Sequence, residues 1–309
     1  MLNFYKTVSG NVVKIDSVED GCWISAVEPT EQEISRLVNE FGLDTDFVRS
    51  SLDEEESSRV ESEERQTLII VDYPVAQTEE GNTILYMTMP MGIILTETNV
   101  VTICLKENVV LSEMAGGMVR NLQIHLRTRF VFTILLRIAS RYLQYLKQID
   151  KISDHLEGQL HHSMKNKELI QLLGLEKSLV YFSTSLNSNE TTLEKLLRGR
   201  VIRLYDEDQD LLEDVLIEVK QAIEMSSIYS SILTGTMDAF GSIISNNLNN
   251  VMRNLTIITI LMAIPTMIYS FYGMNVGGLP LPHIWFPTVL SVVVTGVVAI
   301  VLFKKNIMK

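Results

Sequence analysis

The chain has 309 residues, with 38 Asp and Glu against 26 Lys and Arg, a formal net charge of −12 and a mean hydropathy of +0.18. Acidity and positive mean hydropathy coexist only where charge and apolarity lie in different segments, and Asn254 to Phe303 contains no Asp, Glu, Lys or Arg. A single soluble globule is excluded, and so is a nucleic-acid partner, because residues 1–253 carry 38 acids against 23 bases and would repel phosphates.

The length predicts roughly two domains of ~150 residues each. The opening MLNFYKTVSGNVVK lacks a basic region followed by an apolar core, so no signal peptide is expected. Cys22 and Cys104 have no metal-ligand spacing and read as reduced cytosolic thiols. Residues 1–110 alternate short apolar runs with turn signals, a mixed α/β pattern. Cys22–Val27 and Thr67–Val75 read as strands, the second turning through Glu80-Gly81-Asn82 into Thr83–Met89. Between them, Thr30 and Glu33 form a capping box, and Ile34, Leu37, Val38 and Phe41 make one helix face that ends before Gly42. No phosphate loop, no Ser/His/Asp set and no metal-ligand His spacing appears, so neither an enzyme nor an organic cofactor is predicted.

From Pro90 to Pro265 there are 174 residues without proline. Residues 111–204 read as long antiparallel helices, with Leu136, Ala139, Leu143, Leu146 and Ile149 at helical spacing. His161-His162 falls between the helical patterns and reads as a loop or surface pair. The pattern resumes at Leu211, Val215 and Ile217, in a stalk over residues 205–253. If that helix runs from Tyr205 to Tyr272, it is on the order of 100 Å long at 1.5 Å per residue, a length that only a bundle of several protomers supports. Two acid clusters stand out: Asp53, Glu54, Glu55, Glu56, Glu61, Glu63 and Glu64, and Asp206, Glu207, Asp208, Asp210, Glu213 and Asp214. Each has two readings, a solvated charged face or a binding surface for hard divalent cations.

Residues 254–309 hold two spans, about Asn254–Tyr272 and Ile284–Phe303, each close to the ~20 apolar residues that a hydrocarbon core of ~30 Å requires. The short linker GMNVGGLPLPH has loop composition. Arg253 before the first span and Lys304, Lys305 and Lys309 after the second place both termini in the cytoplasm of a multi-pass cell (inner) membrane protein. Pro265 is tolerated within the first span where neighbours satisfy the freed carbonyl. Steps of three and four along that helix collect Asn249, Met252, Thr256, Thr259, Ala263, Thr266, Ser270 and Gly273, a row of mainly small or hydroxyl side chains. The row reads either as a close-packing seam or as the lining of a water-filled path. The second span, with Thr295 and Gly296 amid aliphatic residues, reads as lipid-facing.

Tyr272 followed by Gly273-Met274-Asn275 at the outer end of the first span resembles the CorA family of divalent-cation channels. So do the segment NNVMRNLTIITILMAIPTMIYSFYGMN with its internal proline, the two-span hairpin, the basic tail and the acidic helix leading in. The resemblance implies a homopentameric funnel, an α+β cytosolic domain whose stalk helix is continuous with the pore-lining span. It implies a selectivity filter at Gly273, Met274 and Asn275, where a ring of carboxamides meets hydrated Mg²⁺. Pore positions match Asn249, Met252, Leu255, Ala263 and Thr266, with Met252 and Leu255 as the apolar constriction. Cytosolic Mg²⁺ held between protomers would close the channel, through positions matching Asp238 and Asp214. The family's acidic partner pair falls at Arg49-Ser50, with Asp53 or Glu54 beside it as substitutes. The outer loop VGGLPLPH lacks the acids of typical magnesium members and looks like that of the zinc-transporting branch, so Zn²⁺, Co²⁺ or Ni²⁺ is the alternative cargo. A membrane-anchored sensor or scaffold is the remote one.

Overall fold

The computed structural model describes all residues except 64, 80–82, 163–165, 200, 201, 203, 276, 278, 279, 282, 308 and 309. The expected Glu80-Gly81-Asn82 turn, Glu64, Lys309 and part of the outer loop lie outside the described residues. The chain divides into two compact units, Met1–Met237 and Asp238–Lys309.

The first unit is built on a seven-stranded sheet of order β2-β1-β3-β7-β6-β5-β4. Its strands are β1 (Leu2–Val8), β2 (Asn11–Ile15), β3 (Trp23–Val27), β4 (Arg59–Glu63), β5 (Gln66–Glu79), β6 (Thr83–Leu95) and β7 (Val100–Cys104). β3 and β7 pair in parallel, and the other described pairings are antiparallel. The three strands expected from sequence are present as β3, β5 and β6. β1 and β2, joined at Ser9 and Gly10 with φ of 52° and 84°, and β4 were not anticipated. Nor was β7, whose five residues are all buried. It is an apolar run without alternation because it lies between β3 and β6 and is covered on both faces.

Alternation along the strands sorts side chains to the two faces. Ile24, Leu68, Ile70, Ile94, Val101 and Ile103 pack with Leu37 from α1 (Glu31–Asn39), Phe47 and Val48 from α2 (Thr45–Ser50), and Leu43 between the two helices. The Thr30–Glu33 capping box is formed, with Thr30 N–H donating to Glu33 Oε2 at 2.9 Å. The opposite face carries Trp23, whose ring lies 5.4 Å from Phe130 and whose Nε1 donates to Thr102 Oγ1 at 2.8 Å. That face is covered by α3 (Val109–Ala115), α4 (Arg127–His162) and α5 (Asn166–Leu197). Tyr142 and Phe182 meet edge to face at 5.0 Å, and Leu135 shares a small cavity with Leu193, so α4 and α5 run antiparallel. His161 and His162 close α4 rather than forming a loop.

α6 (Asp206–Tyr272) is one helix, with Pro265 inside it. In the first unit its inner side buries Leu212, Val215, Leu216, Val219 and Ala222, and Ser226 Oγ donates to the carbonyl of Leu179 at 3.0 Å. Ile217, expected on the apolar face, is instead 63% exposed: it lies two residues from Val215, which turns it away from the buried row.

Candidate functional site

The second unit contains the rest of α6 and α7 (Trp285–Ile307). Both helices are long and apolar enough to cross a membrane, and only 6% and 11% of their most apolar windows are buried. Helices of a soluble core would be mostly covered, so these two present their apolar surface outward.

Ile257, Leu261, Ile264, Pro265, Ile268 and Tyr272 are the partly covered residues of the apolar end of α6. The polar links to α7 and the linker leave α6 near the same side: Tyr269 donates to Thr288 Oγ1 at 3.2 Å, and Tyr272 donates to the carbonyl of Pro280 at 3.1 Å. At 3.6 residues per turn the opposite side carries Asn249, Met252, Leu255, Thr256, Thr259, Ala263, Thr266 and Ser270, all of them exposed. The row therefore takes no part in the packing of α6 on α7. The lipid-facing expectation for the second span needs one correction: Thr295 Oγ1 is buried and has no hydrogen-bond partner, so this hydroxyl points away from the lipid side.

The hydroxyls of the row have a fixed polarity. Thr256 donates to the carbonyl of Met252 at 2.8 Å, Thr259 to that of Leu255 at 2.8 Å and Thr266 to that of Met262 at 2.9 Å. A threonine that spends its proton on the preceding turn presents only oxygen lone pairs outward. Such a surface attracts cations, or the hydrogens of their hydration water, without supplying formal charge.

At the end of α6, Gly273 N–H donates to the carbonyl of Tyr269 at 2.9 Å, and a side chain at Gly273 would place its Cβ 3.2 Å from that oxygen. Glycine lets the chain close on the last turn, and Met274 and Asn275 follow it, both exposed. Aromatic rings gather at this end: Tyr272 lies 6.1 Å from Phe286, and Trp285 lies 6.3 Å from Phe286. An aromatic belt of this kind belongs at a membrane–water boundary.

The acidic candidates are distributed differently. Asp53 lies in the turn after α2, its Oδ1 accepting from Glu55 N–H at 3.0 Å, and Glu54 beside it is exposed. Glu56 and Glu61 are both engaged by Arg59, which removes them from that cluster as free ligands. Asp214 and Asp238 are exposed on α6. Among the described residues, no three His, Cys, Asp or Glu side chains of one chain converge to hold a metal ion. Cys22 and Cys104 are free and buried, and burial pushes the Cys104 thiol up to about 12.

Comparison with known proteins gives a consistent picture. A family model described as CorA-like Mg²⁺ transporter protein matches residues 18–305. The cobalt/magnesium transport protein CorA of Methanocaldococcus jannaschii is 29% identical over 297 residues, covering 92% of this chain and 90% of the relative. The complete structure of the CorA magnesium transporter from the same organism superposes with a TM-score of 0.80 at 26% identity, covering 98% of this chain and 96% of that one. The ZntB cytoplasmic domain from Vibrio parahaemolyticus shares the fold, with a TM-score of 0.60 at 10% identity, covering 80% of this chain and 98% of the domain.

Proposed function

Because the chain belongs to the CorA-like Mg²⁺ transporter family, whose members are membrane-embedded transporters of divalent cations and not enzymes, we propose that it is a Mg²⁺ uptake channel lined by the row from Asn249 to Ser270. The observation that carries this reading is the one-sided chemistry of α6: the side turned from the α7 contacts holds hydroxyls, a carboxamide and no charge. Five copies around an axis would bring the rows together into a path, with Met252 and Leu255 as an apolar ring that gates by excluding water.

Mg²⁺ sheds its water reluctantly and demands near-octahedral oxygen geometry. A ring of Asn275 carboxamides holds the intact hydration shell, and the outward lone pairs of Thr256, Thr259 and Thr266 pass it on. Carboxylates at the same positions would hold the ion too tightly for release. No nucleotide hydrolysis is needed: a divalent ion crossing ~100 mV gains ~4.6 kcal/mol, twice the ~2.3 per elementary charge. Arg253 and Lys304 mark the cytoplasmic ends of the two spans. Closure follows from carboxylates that repel across protomer interfaces until Mg²⁺ bridges them, with Asp238 and Asp214 on the stalk and Asp53 or Glu54 as partners.

Ion-specific uptake into proteoliposomes, with and without internal Mg²⁺, tests the reading. Mg²⁺ entry that falls as internal Mg²⁺ rises is the expected result. Uptake of Zn²⁺ alone would assign the cargo to the transition-metal branch, consistent with an outer loop free of carboxylates. Absence of flux for every divalent ion would leave the scaffold reading.

A further inference from the structure

A cavity of about 620 Å³ lies in the first unit where the start of α4 meets the start of α6. His125, Arg127 and Arg129 line one side of it, and Tyr205, Glu207 and Asp208 the other. We propose that it binds a polyphosphate together with the divalent cation it chelates, a Mg²⁺–nucleoside triphosphate being the member of that class that fits.

Electrostatics on the α4 side are inverted. The positive end of a helix dipole favours acids in the first turn, yet α4 has none there and places Arg127 and Arg129 at that end. No described side chain caps the N–H groups of Arg127, Thr128 and Arg129. Glu207 reaches Arg129 at 2.7 Å, but both side chains are largely solvated, at 46% and 81% exposure. Arg127 donates to the carbonyl of Thr96. Amides at a helix N-terminus beside two guanidiniums make a phosphate site.

The α6 side supplies the second, independent observation. Asp208 is only 7% exposed, lines the same cavity, and has no hydrogen-bond or ion-pair partner for its carboxylate among the described residues. Its carboxylate, in the first turn of α6, opens to the cavity rather than into the protein interior, and an unpaired carboxylate there attracts a cation. A bare anion would be repelled by Asp208 and Glu207, and a bare cation by the arginines. A metal-chelating polyphosphate satisfies both, with its phosphate oxygens on Arg127, Arg129 and the α4 amides and the metal's water shell on Asp208. The volume falls within the range for small-molecule sites of roughly 300–1,000 Å³, and Leu126, 41% exposed, adds apolar wall for a base.

Isothermal titration of the full-length protein in detergent with ATP tests this, after subtraction of a Mg²⁺-only titration. Saturable binding in Mg²⁺, weaker by about tenfold or more in EDTA, is expected. Arg129→Gln should weaken it to a similar degree, and Asp208→Asn should make binding equal with and without Mg²⁺. Inorganic tripolyphosphate with Mg²⁺ should compete. No saturable binding by the wild-type protein, binding indifferent to EDTA, or binding unchanged in Arg129→Gln would overturn the assignment. Should Asp208→Asn fail to fold, the wild-type comparison in EDTA still decides. Transport does not enter this measurement, so its failure leaves the channel reading standing.

Discussion

Tyr269 donates its phenolic proton to Thr288 Oγ1 across 3.2 Å, tying the end of α6 to the beginning of α7. With Tyr272 against Phe286, this contact fixes the rotation of α6 about its own axis in the hairpin. Whichever side meets α7, the other remains for a neighbouring molecule or a water path, and that other side carries the hydroxyl row.

Two substitutions separate the two sides of α6. Tyr269→Phe removes one helix–helix hydrogen bond in an apolar setting, worth about 1 kcal/mol, and should lower the unfolding temperature of the detergent-solubilised protein. Thr266→Val removes a hydroxyl from the opposite side and should leave that temperature nearly unchanged while reducing Mg²⁺ flux. The reverse pattern, a stability loss at Thr266 and none at Tyr269, would place the row in the packing seam.

Phe182 is fully buried where its ring meets Tyr86 at 6.2 Å and Tyr142 at 5.0 Å, joining α5 to both the sheet and α4. Phe182→Ala should cost about 3–5 kcal/mol through lost burial and the cavity left behind. Chemical denaturation followed by circular dichroism reads this directly. A loss below about 1 kcal/mol would mean that α5 is not packed on the sheet as described.

Asp72 on β5 has both backbone groups engaged by Asn189, with bonds of 2.9 and 2.8 Å, and its side chain lies beneath α5. Burial raises its carboxyl above the ordinary aspartate value, opposed in part by a hydrogen bond from Ser185. An acid whose folded pKa is raised contributes stability below its unfolded pKa, and this is lost as pH rises through the folded value. Asp72→Asn should therefore be more stable than wild type near neutral pH, and the difference should fade as pH falls toward the unfolded aspartate value of about 4. Thermal unfolding across that window checks the sign, and a variant equally destabilised at every pH would refute it.

Asp238 is exposed on α6 in the single chain. If its role is to receive Mg²⁺ shared with a neighbouring protomer, Asp238→Lys places a permanent cation where the ion would sit. Mg²⁺-dependent protection from protease should then disappear, the mutant behaving alike with and without the ion. Protection that persists in Asp238→Lys would move the sensor elsewhere.

The sequence was most informative where one physical constraint dominates. An apolar span must lack charge along its whole length, so the end of α6 at Tyr272 and the start of α7 at Trp285 were legible within a few residues. The Thr30–Glu33 box was legible because both partners lie within one turn. β7 was not, because a short run buried on both faces lacks the alternation that marks a half-exposed strand. Ile217 was assigned to the wrong side, because a run such as Leu211-Leu212 through Leu216-Ile217 supports more than one helical phase. The cavity beside Asp208 left no local signal: its halves lie about 80 residues apart, and only the meeting of two helix starts brings Arg129 to Glu207. The proposed grouping of Asp53, Glu54, Asp214 and Asp238 into ion sites would be a property of several chains, which no pattern within one chain encodes.

The central claim is that Asn275 meets hydrated Mg²⁺ at the mouth of a path lined by α6. Mg²⁺ flux into proteoliposomes under an inside-negative potential, compared between the wild-type protein and an Asn275→Ala variant reconstituted to equal density, tests it most directly. The account predicts potential-driven Mg²⁺ entry in the wild type and its loss in the variant, with the variant's oligomeric state unchanged. Equal flux through both proteins would contradict it.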